Sequence, residues 1–328
     1  YEELRADLAL PLTNKAVAGQ YPPGSTFKMV TALAALEAGV ATEHTGVFCP
    51  GHYDFGNARF HCWKKGGHGT VNVVSALAES CDVYFYKLST ELGIKRIAAM
   101  AKRLGLGEKF EMELQEERAG LVPDEAWKKK RYGEGWHQGE TVIASIGQGY
   151  MLATPLQLAV MTARIASGKA VKPWLGGYVG GNPLPHAEWE DLNLNPAHVA
   201  IVKRGMSDVC NNQRGTGYGA RIKEPGMEMA GKSGTAQVKR ITKQERAAGV
   251  KNEDLPWHFR HHALFVGYAP LTNPRYACSV VVEHGVGGSK AAAPIVRDLL
   301  LMAQQRDPAS KPMVASQQII LEEGKHFG

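Results

Sequence analysis

A serine and a lysine three residues apart, Ser25 and Lys28, follow Tyr21-Pro22-Pro23-Gly24 at the start of an apolar-periodic stretch. Residues three apart on a helix share a face, and a Pro-Pro-Gly run is a stop after which a helix can begin. The spacing therefore brings an amine within reach of a hydroxyl, the arrangement of a serine nucleophile beside its base. A seryl hydroxyl attacks only as its proton leaves. Lysine accepts that proton when burial or a second cation disfavours its ammonium form. Further along lie Ser80-Cys81-Asp82 and Lys232-Ser233-Gly234-Thr235, and Lys232 supplies such a second cation.

The order S-x-x-K, then S-x-D, then K-S-G-T is far more specific than any one of the three. Singly, Ser80-Cys81-Asp82 is an ordinary helix cap, and Lys232-Ser233-Gly234-Thr235 a strand entering a turn. With Tyr21 to Lys28, Ser80 to Tyr86, Ser145-Ile-Gly-Gln-Gly149, Thr154-Pro-Leu-Gln-Leu158 and Gly231 to Ala236 around them, the chain resembles class B penicillin-binding proteins. Within that family the elongation branch, penicillin-binding protein 2, fits best, from about Asn14 to about Leu301. The resemblance implies an α+β, penicillin-binding/β-lactamase-like transpeptidase fold: an antiparallel sheet flanked by helices, plus a largely helical subdomain.

It also implies roles. Ser25 attacks the D-Ala-D-Ala bond of a peptidoglycan stem peptide, Lys28 takes its proton, and Ser80 relays a proton toward the leaving amine. Lys232 helps bind the terminal carboxylate within a substrate-binding run of Ser233, Gly234 and Thr235, with Thr235 adding a hydroxyl contact. The backbone N–H groups of Ser25 and Thr235 form the oxyanion hole. Asp82, where many relatives carry Asn, would hydrogen-bond Lys28. An acceptor stem then takes the acyl group, and β-lactams trap the same serine. No cofactor is implied for catalysis. The implied partners are stem peptides, β-lactams, a shape-determining glycosyltransferase and elongation-complex proteins at the periplasmic face of the inner membrane. Alternatives on the same fold are a division-type transpeptidase, a D,D-carboxypeptidase, a β-lactamase and a β-lactam-sensor domain. Against a class A β-lactamase, no segment looks like its Glu-bearing deacylation loop.

Composition sets the outer bounds. The chain has 328 residues, 44% hydrophobic and 21% charged, enough for one elaborate domain or two intimately packed ones. Its net charge of +6 suits anionic partners, yet no Lys/Arg block is dense enough for nucleic acid. No run of about 18 apolar residues would span a bilayer, and no signal segment opens the chain. Relatives carry an anchor and a pedestal, so the expectation is an excised catalytic domain. Only 24 residues precede Ser25, and they do not look like a hairpin, so the expectation is a sheet smaller than usual for the family or only partly represented.

The elements that must position these groups follow from periodicity. Ser25 to Ala38 predicts the buried nucleophile helix, closed by Gly39. Cys49 to Gly69 shows no regular period. Val71 to Glu79 and Val83 to Leu92 predict helices flanking Ser80, and Thr154-Pro155 opens a helix to about Ala166. Met227 to Arg240, Ala263 to Tyr268 and Tyr276 to Glu283 predict adjacent antiparallel strands, with a helix from Ala292 to Gln304 packed on them. The domain is expected over 1–305, with a helical subdomain over about 40–170, a sheet subdomain over about 171–305 and the Ser25 helix between them. A flexible tail is expected over 306–328, and Ile241 to His262, long for a strand connection, as a mobile flap.

A second cluster has different chemistry. Cys49, Cys62, His68 and Cys81 follow one another at intervals of 13, 6 and 13 residues, and three thiols with an imidazole suit tetrahedral zinc. The spacing is not that of C-x-x-C knuckles, and the competing readings are a disulfide or small buried hydrophobes. His52 and His61 are reserves for the fourth ligand. Such a site would be structural, pinning the irregular loop and Ser80.

Overall fold

The nucleophile segment enters its helix through a tighter turn than the periodicity predicts. Gly24–Phe27 is a 3-10 turn, and the α-helix runs Lys28–Glu37. In a 3-10 turn residues three apart eclipse one another, so Ser25 and Lys28 still share a side. From Lys28 to Leu36 every residue is buried, including the lysine, so this is a central helix and not an amphipathic one. It packs against helices Asp82–Leu92, Ile94–Arg103 and Pro196–Asn211, while the 3-10 turn packs against the sheet. The computed structural model describes residues 1–7, 9–179, 182–184, 188–239, 244–245 and 248–308.

Among the described residues the main sheet has three strands, Ala230–Ala236, His262–Ala269 and Tyr276–Val282, in that order and antiparallel. This agrees with the predicted strands and with a small sheet. Lys232 pairs with Val266 and Thr235 with Ala263, which places the K-S-G-T run on an edge strand. That strand has little intrinsic β preference. Its burial and its full ladder to the apolar His262–Ala269 strand hold it. Helices Ala293–Arg306 and Pro155–Ser167 both pack on the central His262–Ala269 strand and the Tyr276–Val282 strand, and Pro196–Asn211 packs on the Ala230–Ala236 edge strand. The chain is therefore α+β.

Several elements went unpredicted, among them helices Ile94–Arg103, Glu125–Tyr132 and Gln138–Ala144. Cys49 to Gly69 is regular after all: Val47–Cys49 pairs with Gly69–Val71, and His52–Phe55 forms a hairpin with Ala58–His61. These strands have three or four residues each, too short for period 2 to show. The Pro196–Asn211 helix went unpredicted although it carries both a cap, where Asn195 accepts from the Ala197 N–H and proline follows at the first turn, and buried Val202, Met206, Val209 and Cys210 at helical spacing. The predicted Thr154 cap does form, with a reciprocal bond from Gln157. Of the expected flap, 241–243 and 246–247 lie outside the described residues, as do 309–328 of the expected tail. Its described end is tied down: Asn252 bonds the Val286 carbonyl and the His261 N–H, at 3.2 and 3.0 Å.

Two glycines set how closely the nucleophile turn fits. Gly24 has φ +55°, and a Cβ there would lie 2.4 Å from the Thr235 carbonyl oxygen. Gly147 has φ +71°, and its Cβ would meet the Gly24 carbonyl oxygen at 2.3 Å, where the Gly24 N–H already donates to Gly147 O at 2.9 Å. Left-handed backbone and contact with main chain on both sides exclude a side chain. Gly147→Ala is expected to cost about 1–3 kcal/mol in denaturant unfolding. Gly133→Ala, also at positive φ but with open space around its Cβ, should cost less.

Candidate active site

Three chain segments deliver polar groups to one buried point, the Ser80 hydroxyl. Lys28 Nζ donates to Ser80 Oγ at 3.3 Å and to the Ser80 carbonyl at 2.9 Å, and Lys232 Nζ donates to the same Oγ at 2.8 Å. Lys28 is also ion-paired with Asp82 Oδ1 at 2.6 Å. Both lysines are fully buried, and Ser80 and Asp82 nearly so. Ser25 is half-buried on the turn preceding Lys28, and Lys28 N–H donates to the Ser25 carbonyl. Among the described residues, no hydrogen bond joins Ser25 Oγ to the other three groups.

Ser80 stands at φ +56°, a conformation costly for a residue with a side chain and characteristic of functional turns. Its carbonyl is held by Lys28 and by the Trp63 indole N–H at 3.0 Å. Trp63 also donates its backbone N–H to Asp82 Oδ2 at 2.9 Å, so both carboxylate oxygens have donors. Burial still pushes the Asp82 carboxyl upward, against the pull of Lys28. Lys232 moves well down, first because it is buried and then because Lys28 lies close. The pressure to lose a proton therefore bears on Lys232, while Lys28 keeps a carboxylate partner.

Substrate-side groups line up along the edge strand. Ser233 Oγ shares a hydrogen bond of 2.9 Å with Thr216 Oγ1. Thr235 is half-buried, and its carbonyl accepts from Gln148 Nε2 at 2.8 Å. Gly234 packs on Thr26 and Pro23, which keeps the Ser25 turn against this strand. Sequence reasoning assigned no role to Gln148, Thr216 or Trp63. The Gly-Gln-Gly run at 147–149 was a signal for the first, and for the other two none was available, since their partners are remote in sequence.

The cysteine cluster lies directly behind Ser80. Cys49, Cys62, His68 and Cys81 are all buried, with ligand atoms within 4.8 Å of one another. His68 Nδ1 is 3.6 Å from Cys49 Sγ and 3.5 Å from Cys62 Sγ. Ligands around a tetrahedral zinc at about 2.0–2.3 Å stand roughly 3.5–3.8 Å apart, so the donor set and its spacing fit that ion. Cys62 Sγ accepts the Asp82 N–H at 3.4 Å. Its bond with Cys81 pulls the Cys62 thiol down and pushes Cys81 up. The described cysteines form no disulfide. His52 and His61 face each other across the hairpin and stay outside the cluster.

An edge strand bearing Lys-Ser-Gly-Thr, a serine turn packed on it and a buried Lys-Ser-Lys set thus stand together in one place. The chain belongs to the penicillin-binding protein transpeptidase domain family, whose pattern matches residues 2–301. It is 40% identical to the peptidoglycan D,D-transpeptidase MrdA of Haemophilus influenzae, over 92% of this chain and 47% of that protein. With MrdA of Escherichia coli K12 it is 34% identical, over 96% of this chain and 51% of that protein. The chain thus spans about half the length of these curated relatives. Among solved structures it is similar to Pseudomonas aeruginosa PBP2 in complex with WCK 5153, with TM-score 0.80, 41% identity and coverage of 92% of this chain and 62% of that one. The Helicobacter pylori complex of PBP2 with MreC also has TM-score 0.80, with 36% identity and coverage of 93% and 53%.

Removing one partner of a buried ion pair strands the other. Lys28→Met is expected to destabilise the domain by about 3–5 kcal/mol, and adding Asp82→Asn should recover at least half of that in chemical denaturation.

Proposed function

We propose that this domain is a serine D,D-transpeptidase that crosslinks peptidoglycan stem peptides through an acyl-serine. The observation that carries the reading is the meeting of Lys28 and Lys232 on one buried hydroxyl, Ser80, beside the turn that bears Ser25. Lys28 passes a proton through Ser80 Oγ to the neutral amine of Lys232, and Ser25 Oγ attacks the carbonyl of the penultimate D-alanine as its own proton goes to the freed Lys28 amine. The negative charge that grows on the carbonyl oxygen is met by the Ser25 and Thr235 N–H groups, which need no reorganisation. Ser80, bridging the two amines, passes a proton to the departing D-alanine amine, and that bond breaks. The amine of an acceptor stem then attacks the acyl-serine, restoring Ser25. Asp82 orients Lys28, and the edge strand offers Lys232, Ser233, Gly234 and Thr235 to an extended peptide and its carboxylate.

The domain would act in cell elongation and rod shape, at the periplasmic face of the inner membrane. The peptidoglycan D,D-transpeptidase name of the relatives supports a part in wall synthesis, and the Helicobacter pylori complex supports an MreC-like partner; a shape-determining glycosyltransferase is the further partner inferred. Among the described residues no helix is long and apolar enough to cross a membrane. In this reading a helical subdomain over about 40–170 and a sheet subdomain over about 171–305 close on the Ser25 turn.

Cys49, Cys62, His68 and Cys81 would hold a structural zinc ion. Four protein ligands leave no open position for chemistry, and the ion would supply rigidity. The site would hold the loop whose Trp63 bonds Ser80 and Asp82, and ligation would protect thiols in an oxidising compartment.

Incubation with penicillin should add one drug mass, mapped by peptide mass spectrometry to Ser25 and persisting through a drug-free chase. A label elsewhere, or none on the native protein, would overturn the assignment. Metal analysis of protein purified without added zinc should give one zinc per chain, falling in Cys62→Ser together with the melting temperature. Sub-stoichiometric metal in the native protein rules the ion out.

A further inference from the structure

A second polar cluster lies at the end of the sheet, and nothing in the acyl-transfer chemistry requires it. Glu283 follows the Tyr276–Val282 strand, and its carboxylate takes two donors from the segment before the nucleophile. Tyr21 OH donates to Oε1 at 2.8 Å, and Lys15 Nζ forms an ion pair with Oε2. The Tyr21 ring sets its edge on His262, with centroids 5.3 Å apart. His262 is the first residue of the central strand and pairs with Ala236, one residue past Thr235. One carboxylate therefore ties the approach to Ser25 to the strands that carry Thr235.

We propose that Glu283 is a positioning residue for Ser25: by holding the Tyr21 hydroxyl, it sets the nucleophile turn against the Thr235 strand and so fixes the spacing of the two oxyanion-hole N–H groups. This rests on the acyl-serine reading above. The mechanical link is short and stiff. Tyr21 exchanges backbone hydrogen bonds with Ala153, both at 2.9 Å. Between Tyr21 and Gly24 stand Pro22 and Pro23, whose φ angles are locked by their rings. A shift of Tyr21 therefore passes to Gly24 and Ser25 with little slack.

On the helical side the turn is held by the Gly24 bond to Gly147. On the sheet side Gly24 has only close packing against the Thr235 carbonyl, and the Tyr21–Glu283 bond adds a directional constraint. The electrostatics suit that bond. Burial pushes Glu283 upward, but the bonds from Lys15 and Tyr21 outweigh it and leave the carboxyl below its usual range. Burial, with Glu283 adding to it, pushes the Tyr21 hydroxyl upward, so it remains a donor. Misplacement by about an ångström at a reacting centre is enough to slow a reaction by orders of magnitude, so a partial loosening should be measurable.

The test separates drug binding from acylation by stopped-flow with a fluorescent penicillin, alongside melting temperatures. Tyr21→Phe and Glu283→Met should each lower the limiting acylation rate about tenfold with the binding constant unchanged. The double variant should be no slower than the slower single one. Glu283→Gln, which keeps an acceptor for Tyr21, should restore most of the rate. Native acylation rates in Tyr21→Phe, additive losses in the double variant, or losses confined to the binding constant or to the melting temperature would each overturn the positioning role. If the native protein itself is not acylated at Ser25, the acyl-serine reading falls first. Native acylation with indifferent variants defeats the Glu283 inference alone.

Discussion

Two lysine amines sealed from water around one serine hydroxyl are the constraint from which the rest of the architecture follows. Each buried ammonium carries a desolvation cost of several kcal/mol, and here two lie within hydrogen-bond reach of Ser80 Oγ. The fold divides the burden unequally. Lys28 receives the Asp82 carboxylate, Lys232 receives none at hydrogen-bonding distance, and burial with a like charge close by drives Lys232 toward the neutral amine. One amine thus has a carboxylate beside it, and the other is pressed to release a proton.

Such a site needs rigid walls, and they come from separate parts of the chain. Lys28 opens a helix buried on every side, Lys232 lies on an edge strand held by its ladder, and Ser80 occupies a strained left-handed turn between two helices. The cost of that turn is offset by donors to its carbonyl from Lys28 and Trp63. Trp63 stands next to Cys62, so the cysteine loop and the Ser80 turn are one mechanical unit. Ser25 is different. It rests on a turn between the helices and the sheet, held by glycine contacts and by the Tyr21–Glu283 bond. Ser25 itself stays half-buried, as the proposed attack on a substrate would need.

What could be read from the residues alone was whatever depends on neighbours in sequence. The three motifs and their order, the Thr154 cap with its proline, the apolar strands and the central helix are local patterns, and local patterns survive in a string of letters. The cysteine and histidine quartet was visible as a group of residue types with suitable chemistry. Its closeness in space was not, because that depends on short strands whose register is set by pairing and not by period. For the same reason Cys49 to Gly69 looked irregular; the Pro196–Asn211 helix is the exception, since its cap and its apolar spacing are local and were legible.

The amino-acid sequence by itself determined the chemical inventory of this protein: a serine, two lysines, a second hydroxyl and a carboxylate, in an order that belongs to one family. Tertiary structure alone decided that both lysines converge on the Ser80 hydroxyl and that Gln148, Trp63, Tyr21 and Glu283 hold the surrounding segments. The physical reason is that hydrogen bonds and desolvation act over a few ångströms of space, whereas the partners concerned lie tens to hundreds of residues apart along the chain.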